Sequence, residues 1–422
     1  MGGLAERTTR VEEVEESMAV SLIIIDNSHP NSTVMSGGER IAIELSKQWS
    51  ESRNAEIAVV GSNLTSTLWK KYILGSPISF IHINRLREDE NLLLSYLKRV
   101  IKGIAFAIRF RLEPGKTNLI YTASDFWPDS LTGFFLFLRN RKNARWIAGF
   151  YLFAPSPFRG FREDGSPQLP SLRTLVYWLS QKPIYYIVKR FADAVFVTSE
   201  PDVDAFTTSR RHKSRIIVIK GGVDIIDSCR NSAEIGREEK SFDAVFVGRF
   251  HPQKGIVELI DIWKTVCDQI PGAKLAVIGT GPLEKEIRQI IIENNLEKEV
   301  ILLGFLDGKP KYEVFQKSKL ILHPALYDSG GMAAAEGMVW GLPGIAYDLQ
   351  ALKSYYPRGM AKVPIGDTHE FARTIVTLLK NEGSRAQLGK EARDLILEEW
   401  SWESQANRIW MSLRSIGLVP AE

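Results

Sequence analysis

From about residue 18 the chain alternates short apolar runs with longer stretches of helical period. VSLIIID, EIAVVGS, ISFIHI, NLIYTAS, RWIAGF and AVFVTS form one series; RIIVIK, AVFVGR, KLAVIG, VILLGF, KLILHP and GIAYD form a second. Between them run segments such as ERIAIELSKQWSES and KGIVELIDIWKTVCDQI. Runs that are apolar throughout, rather than alternating, belong to strands covered on both faces, and the helices between them supply that cover. Twelve such strands are too many for one doubly wound sheet. The pattern therefore predicts an α/β protein of two Rossmann-like, doubly wound parallel-sheet domains, over residues 18–213 and 214–397. Residues 1–17 are charged, lack an apolar core, and are expected to form a mobile tail. The last segment, within 398–422, reads as an acidic, tryptophan-rich turn followed by a helix. Two placements fit that helix: back across the first domain, or completing the second.

Length and composition agree with this outline. A chain of 422 residues exceeds one ordinary core, and 44% hydrophobic with 25% charged residues is globular composition. The formal charge of +4 suits an anionic ligand or membrane surface but is too small to argue for nucleic acid. The two cysteines, Cys229 and Cys267, make neither a disulfide framework nor a four-thiolate zinc site. No uncharged run approaches the roughly 18 residues of a spanning helix. A cytoplasmic location, at most on the inner face of a membrane, is the expectation. The six histidines show no HxxxH or HExxH spacing, so no metal site is expected.

Candidate chemistry gathers at three turns. In AVFVGRFHPQKGIVELI, Arg249 and Lys254 flank the start of a helix, where the macrodipole disfavours cations unless an anion sits between them. In ALYDSGGMAAAEGMVWG, Gly330 and Gly331 permit close approach of a ligand to the backbone, and Asp328 fits a turn residue. From Ser329 to Tyr347 the only charged residue is Glu336. A buried, unpaired carboxylate costs several kcal/mol, so Glu336 requires a partner, either a distant basic residue or a ligand such as a ribose diol. The third turn is the loop from Asp26 to Gly38, whose Gly37 and Gly38 precede a helix; Glu39 and Arg40 read equally well as dipole and surface residues. VIGTGPLEKEI lacks the third glycine of a dinucleotide fingerprint and follows the third run of its series, which argues against hydride transfer. Between Phe150 and Phe191, aromatics interleave with Arg159, Arg162, Arg173, Lys182, Lys189 and Arg190. That segment fits either peripheral contact with anionic lipid or an internal helix pair with solvated cations.

Taken together, GGER, VIKGGVD, VGRFHPQKG, VIGTGP, LLGFL and the acidic stretch ending in EGMVWGLPGIA resemble the retaining glycosyltransferases of family 4. The resemblance implies the GT-B fold, with two domains facing a central cleft, and transfer of a hexose-type sugar from a nucleoside-diphosphate sugar to an acceptor hydroxyl, with retention and without a metal or other cofactor. It implies that Arg249 and Lys254 grip the donor diphosphate and that Glu336, the second acid of an E-x7-E motif, holds the ribose. Gly330, Gly331 and Met332 then approach the phosphate and donor sugar. Gly37 and Gly38 lie near the diphosphate, and Gly304, Phe305 and Leu306 beside the base. The first acid of the motif is Asp328 instead of Glu, which puts its role in question. Thr122, Ser124 and Asp125 stand where many relatives carry a histidine; His29 and Asp125 are left as acceptor-side candidates. A glycan or lipid-linked molecule is the expected acceptor. Alternatives are a nucleotide-sugar epimerase on the same fold and a non-catalytic subunit that keeps the donor site; no lysine segment typical of a pyridoxal-phosphate phosphorylase is present.

Overall fold

The structure, a computed structural model, describes residues 20–27, 35–53, 55–87, 89–154, 156–158, 172–226, 229, 239–328 and 330–420. The expected tail and His29 lie outside the described residues. The first domain holds strands β1 (Val20–Asp26), β2 (Glu56–Ser62), β3 (Ile78–Asn84), β4 (Thr117–Thr122), β5 (Ala144–Gly149), β6 (Ala194–Val197) and β7 (Ile216–Val218). Its helices are α1 (Gly37–Ser52), α2 (Asn63–Lys70), α3 (Leu92–Arg109), α4 (Trp127–Arg139), α5 (Leu172–Phe191) and α6 (Pro201–Phe206). The second domain holds β8 (Ala244–Val247), β9 (Leu275–Ile278), β10 (Val300–Gly304), β11 (Ile321–His323), β12 (Gly344–Tyr347) and β13 (Met360–Val363). Its helices are α7 (Ile256–Gln269), α8 (Glu284–Glu293), α9 (Lys309–Gln316), α10 (Met332–Met338), α11 (Gln350–Tyr355), α12 (Thr368–Lys380) and α13 (Glu382–Glu399); α14 (Trp402–Ser415) follows.

Both sheets are parallel, in the orders β3-β2-β1-β4-β5-β6-β7 and β10-β9-β8-β11-β12-β13. Central strands are buried on both faces, as their unbroken apolar sequences require, whereas β3, at an edge, is only partly covered. The order reverses direction between β1 and β4 and again between β8 and β11. These are the switch points at whose carboxyl ends ligands bind in open α/β sheets.

Two strand assignments differ from the sequence reading. RIIVIK supplies β7, which pairs with β6 through Val195 and Ile216, so the first sheet extends past the expected boundary at 213/214. VIGTGP accordingly follows the second strand of its domain. Met360–Val363 adds a sixth strand to the second sheet. Only pairing decides the membership of so short a strand as β7, and the polar Lys362 disguises β13.

The helix α14 packs on the first domain. Trp49 and Trp410 lie with ring centroids 5.5 Å apart, and Trp49 Nε1 donates to Ala406 O at 3.0 Å. The chain thus passes between domains twice, and the passages adjoin: Val223 N donates to Trp400 O at 2.8 Å.

Candidate functional site

The starts of α1 and α10, one from each domain, face one another. A Cβ at Gly37 would lie 3.2 Å from Met332 Cε. On the α1 side, Ser36 and Glu39 form a capping box, Ser36 N donating to Glu39 Oε2 at 2.7 Å and Glu39 N to Ser36 Oγ at 3.2 Å. Gly38 is dictated by closeness, because a Cβ there would sit 2.8 Å from the Tyr151 ring and 3.1 Å from Ala123 O. Glu39 is buried, and burial followed by the charge of Asp26 pushes its carboxyl up to about 9. Asp26, donated to by Trp69 Nε1 at 2.6 Å, is itself raised by burial to about 6.

On the second-domain side, β8 leads to a 3-10 turn, Pro252–Lys254, capped by His251 Nδ1, which accepts from Gln253 N at 3.3 Å. Gly255 closes the turn at φ +64°, where Pro324 O would lie 1.9 Å from any Cβ. That geometry aims Lys254 at the loop after β11, where its Nζ lies 2.5 Å from Asp328 Oδ2. His323 Nε2, at the carboxyl end of β11, lies 3.1 Å from the same oxygen. Asp328 Oδ1 accepts from Gly330 N and Gly331 N, each at 3.2 Å. Burial alone would raise this carboxyl; Lys254 and His323 outweigh it and hold the group well below the carboxylate range. Tyr356 Oη completes the loop by donating to Gly330 O at 3.0 Å and Gly331 O at 2.8 Å.

These contacts revise two expectations. Asp328 is a fixed anion that organises the loop, and it already engages the Gly330 and Gly331 amides that were expected to face a ligand. Glu336 has a protein partner: Lys311 Nζ lies 2.9 Å from its Oε2 and 3.1 Å from Asp307 Oδ1. Burial lowers the Lys311 ammonium, but the two acids outweigh it and the net shift is upward. The Glu336 side chain remains 32% exposed, so it keeps room to accept from a second partner.

Arg40 is no surface residue. Its Nη2 lies 3.0 Å from Glu44 Oε1 and 2.5 Å from Asp224 Oδ2 in the interdomain passage, with the guanidinium over the Tyr72 ring at 5.3 Å. Tyr72 Oη in turn donates to Asp307 Oδ2 at 3.3 Å. Arg249 is exposed and makes no ion pair among the described residues. Gly304 ends β10 at φ +70°, Phe305 is exposed, and Leu306 packs on the second-domain core. Asp125 is buried; its Oδ2 accepts from Gln181 Nε2 at 2.7 Å, and burial raises it to about 6.

Sequence reasoning missed Lys311, His323 and Tyr356, and named Arg40 without its partners. The i,i+4 spacing of Asp307 and Lys311 was one available signal, and the place of His323 at the end of a buried strand was another.

Residues 227–395 match the family described as "Glycosyl transferases group 1". The chain is 26% identical over 170 residues to the poly(ribitol-phosphate) alpha-N-acetylglucosaminyltransferase of Staphylococcus aureus, covering 40% of this chain and 34% of that protein. It is 23% identical over 221 residues to the poly(glycerol-phosphate) alpha-glucosyltransferase of Bacillus subtilis, covering 50% of this chain and 32% of that protein. The matched segments thus span about a third of these relatives. Among solved structures, an S. aureus TarM variant in complex with Fondaparinux, alpha-GlcNAc-glycerol and UDP superposes with a TM-score of 0.67 at 13% identity, over 93% of this chain and 99% of that one. Anabaena HepE in complex with UDP and glucose gives 0.66 at 18% identity, over 94% and 99%. The fold is GT-B, and residues 227–395 are similar to the group 1 glycosyltransferases.

Proposed function

We propose that this protein transfers a hexose-type sugar from a nucleoside-diphosphate donor to an acceptor hydroxyl, with retention of configuration and without a metal ion. The observation that supports it most is the Lys254–Asp328 pair beside the facing starts of α1 and α10. An ammonium has three donors and the carboxylate engages one, so the same lysine can hold a phosphate oxygen. As the glycosidic bond breaks, negative charge grows on the leaving diphosphate. Lys254, fixed in place by Asp328, and the exposed Arg249 supply preorganised positive charge there.

In this reading Asp328 is a positioning residue. Its depressed pKa keeps it ionised at working pH, so it does not donate a proton. Glu336, steadied by Lys311, accepts from the ribose hydroxyls of the donor. Gly304, Phe305 and Leu306 lie beside the base. The acceptor is a glycan or a lipid-linked molecule; the relatives named for poly(ribitol-phosphate) and poly(glycerol-phosphate) make a phosphate-bearing polymer one class to try.

The test is release of nucleoside diphosphate from a panel of nucleoside-diphosphate sugars, with product configuration read by NMR. Release from one donor is expected, falling about a hundredfold in Lys254→Ala, the scale of removing one transition-state donor. No binding and no release across the panel, or unchanged turnover in Lys254→Ala, overturns the proposal.

A further inference from the structure

The helices α3, α4 and α5 form one layer over the first sheet, their inner residues Ala107, Leu136, Ile184 and Val188 sharing a core. Trp127 ties the layer together: its backbone N–H donates to Tyr96 Oη at 3.1 Å and its indole Nε1 to Ser180 O at 2.8 Å. The outward surface of this layer is apolar. On α3, Leu94, Leu97, Ile101 and Ile108 recur at helical spacing on the side opposite the buried Gly103 and Ala107, and Ile101 is 67% exposed. On α5, Leu172, Val176, Leu179 and Tyr186 do the same, Leu172 being 76% exposed. Two helices of one layer, each packed on α4 and each carrying an apolar stripe toward solvent, exceed the scattered exposure of an ordinary surface.

The exposed charges within these three helices are all basic. Neither α3 nor α5 contains an aspartate or glutamate, and the single acid of α4, Asp129, is fully buried. Lys102 and Arg109 flank the α3 stripe, while Lys98 pairs with Glu90 just before the helix, its Nζ 3.2 Å from Oε1. At the end of α5, Tyr186 and Arg190 open into a cavity of about 500 Å³ also lined by Lys189, Arg210, Arg211 and Arg215. Arg211 is committed to structure, donating to Val188 O at 2.8 Å and Ala192 O at 2.5 Å. Arg190 and Arg210 are exposed. The cavity's one acid, Asp193, accepts from Trp146 N at 2.9 Å. Among the described residues no helix is long and apolar enough to cross a membrane.

We infer that the outward face of α3 and α5, with the basic cavity at the end of α5, is a docking surface for an anionic lipid bilayer. The apolar stripes enter the acyl boundary while the flanking cations and the cavity meet headgroup phosphates. The absence of acidic residues on α3 and α5 is what selects a lipid surface, because an ordinary protein partner presents both signs. Of the basic-aromatic segment Phe150–Phe191, residues 155 and 159–171, Arg159 and Arg162 among them, lie outside the described residues; α3, far from it in sequence, supplies half of the surface. The inference stands apart from the donor chemistry.

The test is co-sedimentation of the full chain with vesicles of phosphatidylcholine mixed with phosphatidylglycerol, against phosphatidylcholine alone. Binding is expected only to the anionic vesicles and weakens with salt. Arg190→Glu with Arg210→Glu lowers partition by roughly thirtyfold or more, on the scale of two surface cations. Leu97→Gln with Ile101→Gln lowers it by about tenfold. Both pairs alter exposed side chains, so the melting temperature and nucleoside-diphosphate release from free donor stay unchanged, which separates this result from any failure of the proposed transferase activity. Equal binding to both vesicles, no binding to either, or indifference to both pairs of substitutions overturns the inference. A dimer in sedimentation velocity that Leu97→Gln with Ile101→Gln dissolves overturns it as well, by assigning the face to a second copy.

Discussion

The two helix starts that face each other use the same device to opposite electrical effect. At α1 the capping acid is Glu39, raised to about 9 beside a second buried acid, Asp26. At α10 the organising acid is Asp328, held far below its ordinary range by Lys254 and His323. Burial acts on both in the same direction, so neighbours decide the protonation state. The capping acid of α1 is therefore protonated and hydrogen-bonded, while the organising acid of α10 is a fixed, paired charge.

The largest effect is expected from Lys254→Met. It removes the ammonium that offsets the burial of Asp328, leaving His323 and the Gly330 and Gly331 amides around it, and costs about 3 kcal/mol in urea unfolding at pH 7. A loss under about 1 kcal/mol would place the pair among surface ion pairs and remove the contrast.

Next comes the pH profile, in which the two sides titrate oppositely. Asp328 stabilises the fold above its unfolded value near 3.8, and that stability is lost as pH falls through its lower folded value. Asp125, on the first-domain side, has the opposite sign. Stability linked to it is fully present below about 3.8 and is lost as pH rises through about 6. Asp125→Asn keeps an oxygen for Gln181 and removes about 2 kcal/mol of that fall, read as urea midpoints at pH 4 and pH 7. An unchanged slope between those values contradicts the assignment.

Glu336→Gln separates binding from folding. Its pair with Lys311 is partly exposed, so the stability change stays under about 1 kcal/mol. Donor affinity by calorimetry falls about tenfold, the scale of one charge-assisted hydrogen bond. The smallest change is expected from Glu39→Gln. The native group is already protonated at pH 7, and an amide oxygen preserves the bond from Ser36 N, so stability moves by less than about 0.5 kcal/mol. A large loss would mean that Glu39 is ionised, and the two acids would be alike.

What was legible in the sequence was what is local. Buried parallel strands need no alternation, so β1, β8 and β9 announce themselves, and the turns after β8 and β11 hold Lys254, Asp328 and the glycines within short reach of each other's elements. Contacts at long separation were not legible. One partner of Glu336 lies on another helix, and only the folded chain reveals that Lys311 meets its charge. The outward apolar residues of α3 carry no mark in the sequence, because a hydrophobic count does not say which side of a helix meets the sheet. Asp328 read as a turn residue, which it is; that the same carboxylate also fixes a lysine from a separate loop is a property of three dimensions.

The paired crossings at Val223 and Trp400 have a mechanical consequence. Two neighbouring lengths of backbone, joined by a hydrogen bond, set one place about which the two domains would turn if they moved apart. An opening about that place would swing Gly37 away from Met332 by more than it displaces Val223, widening the gap between the facing helix starts.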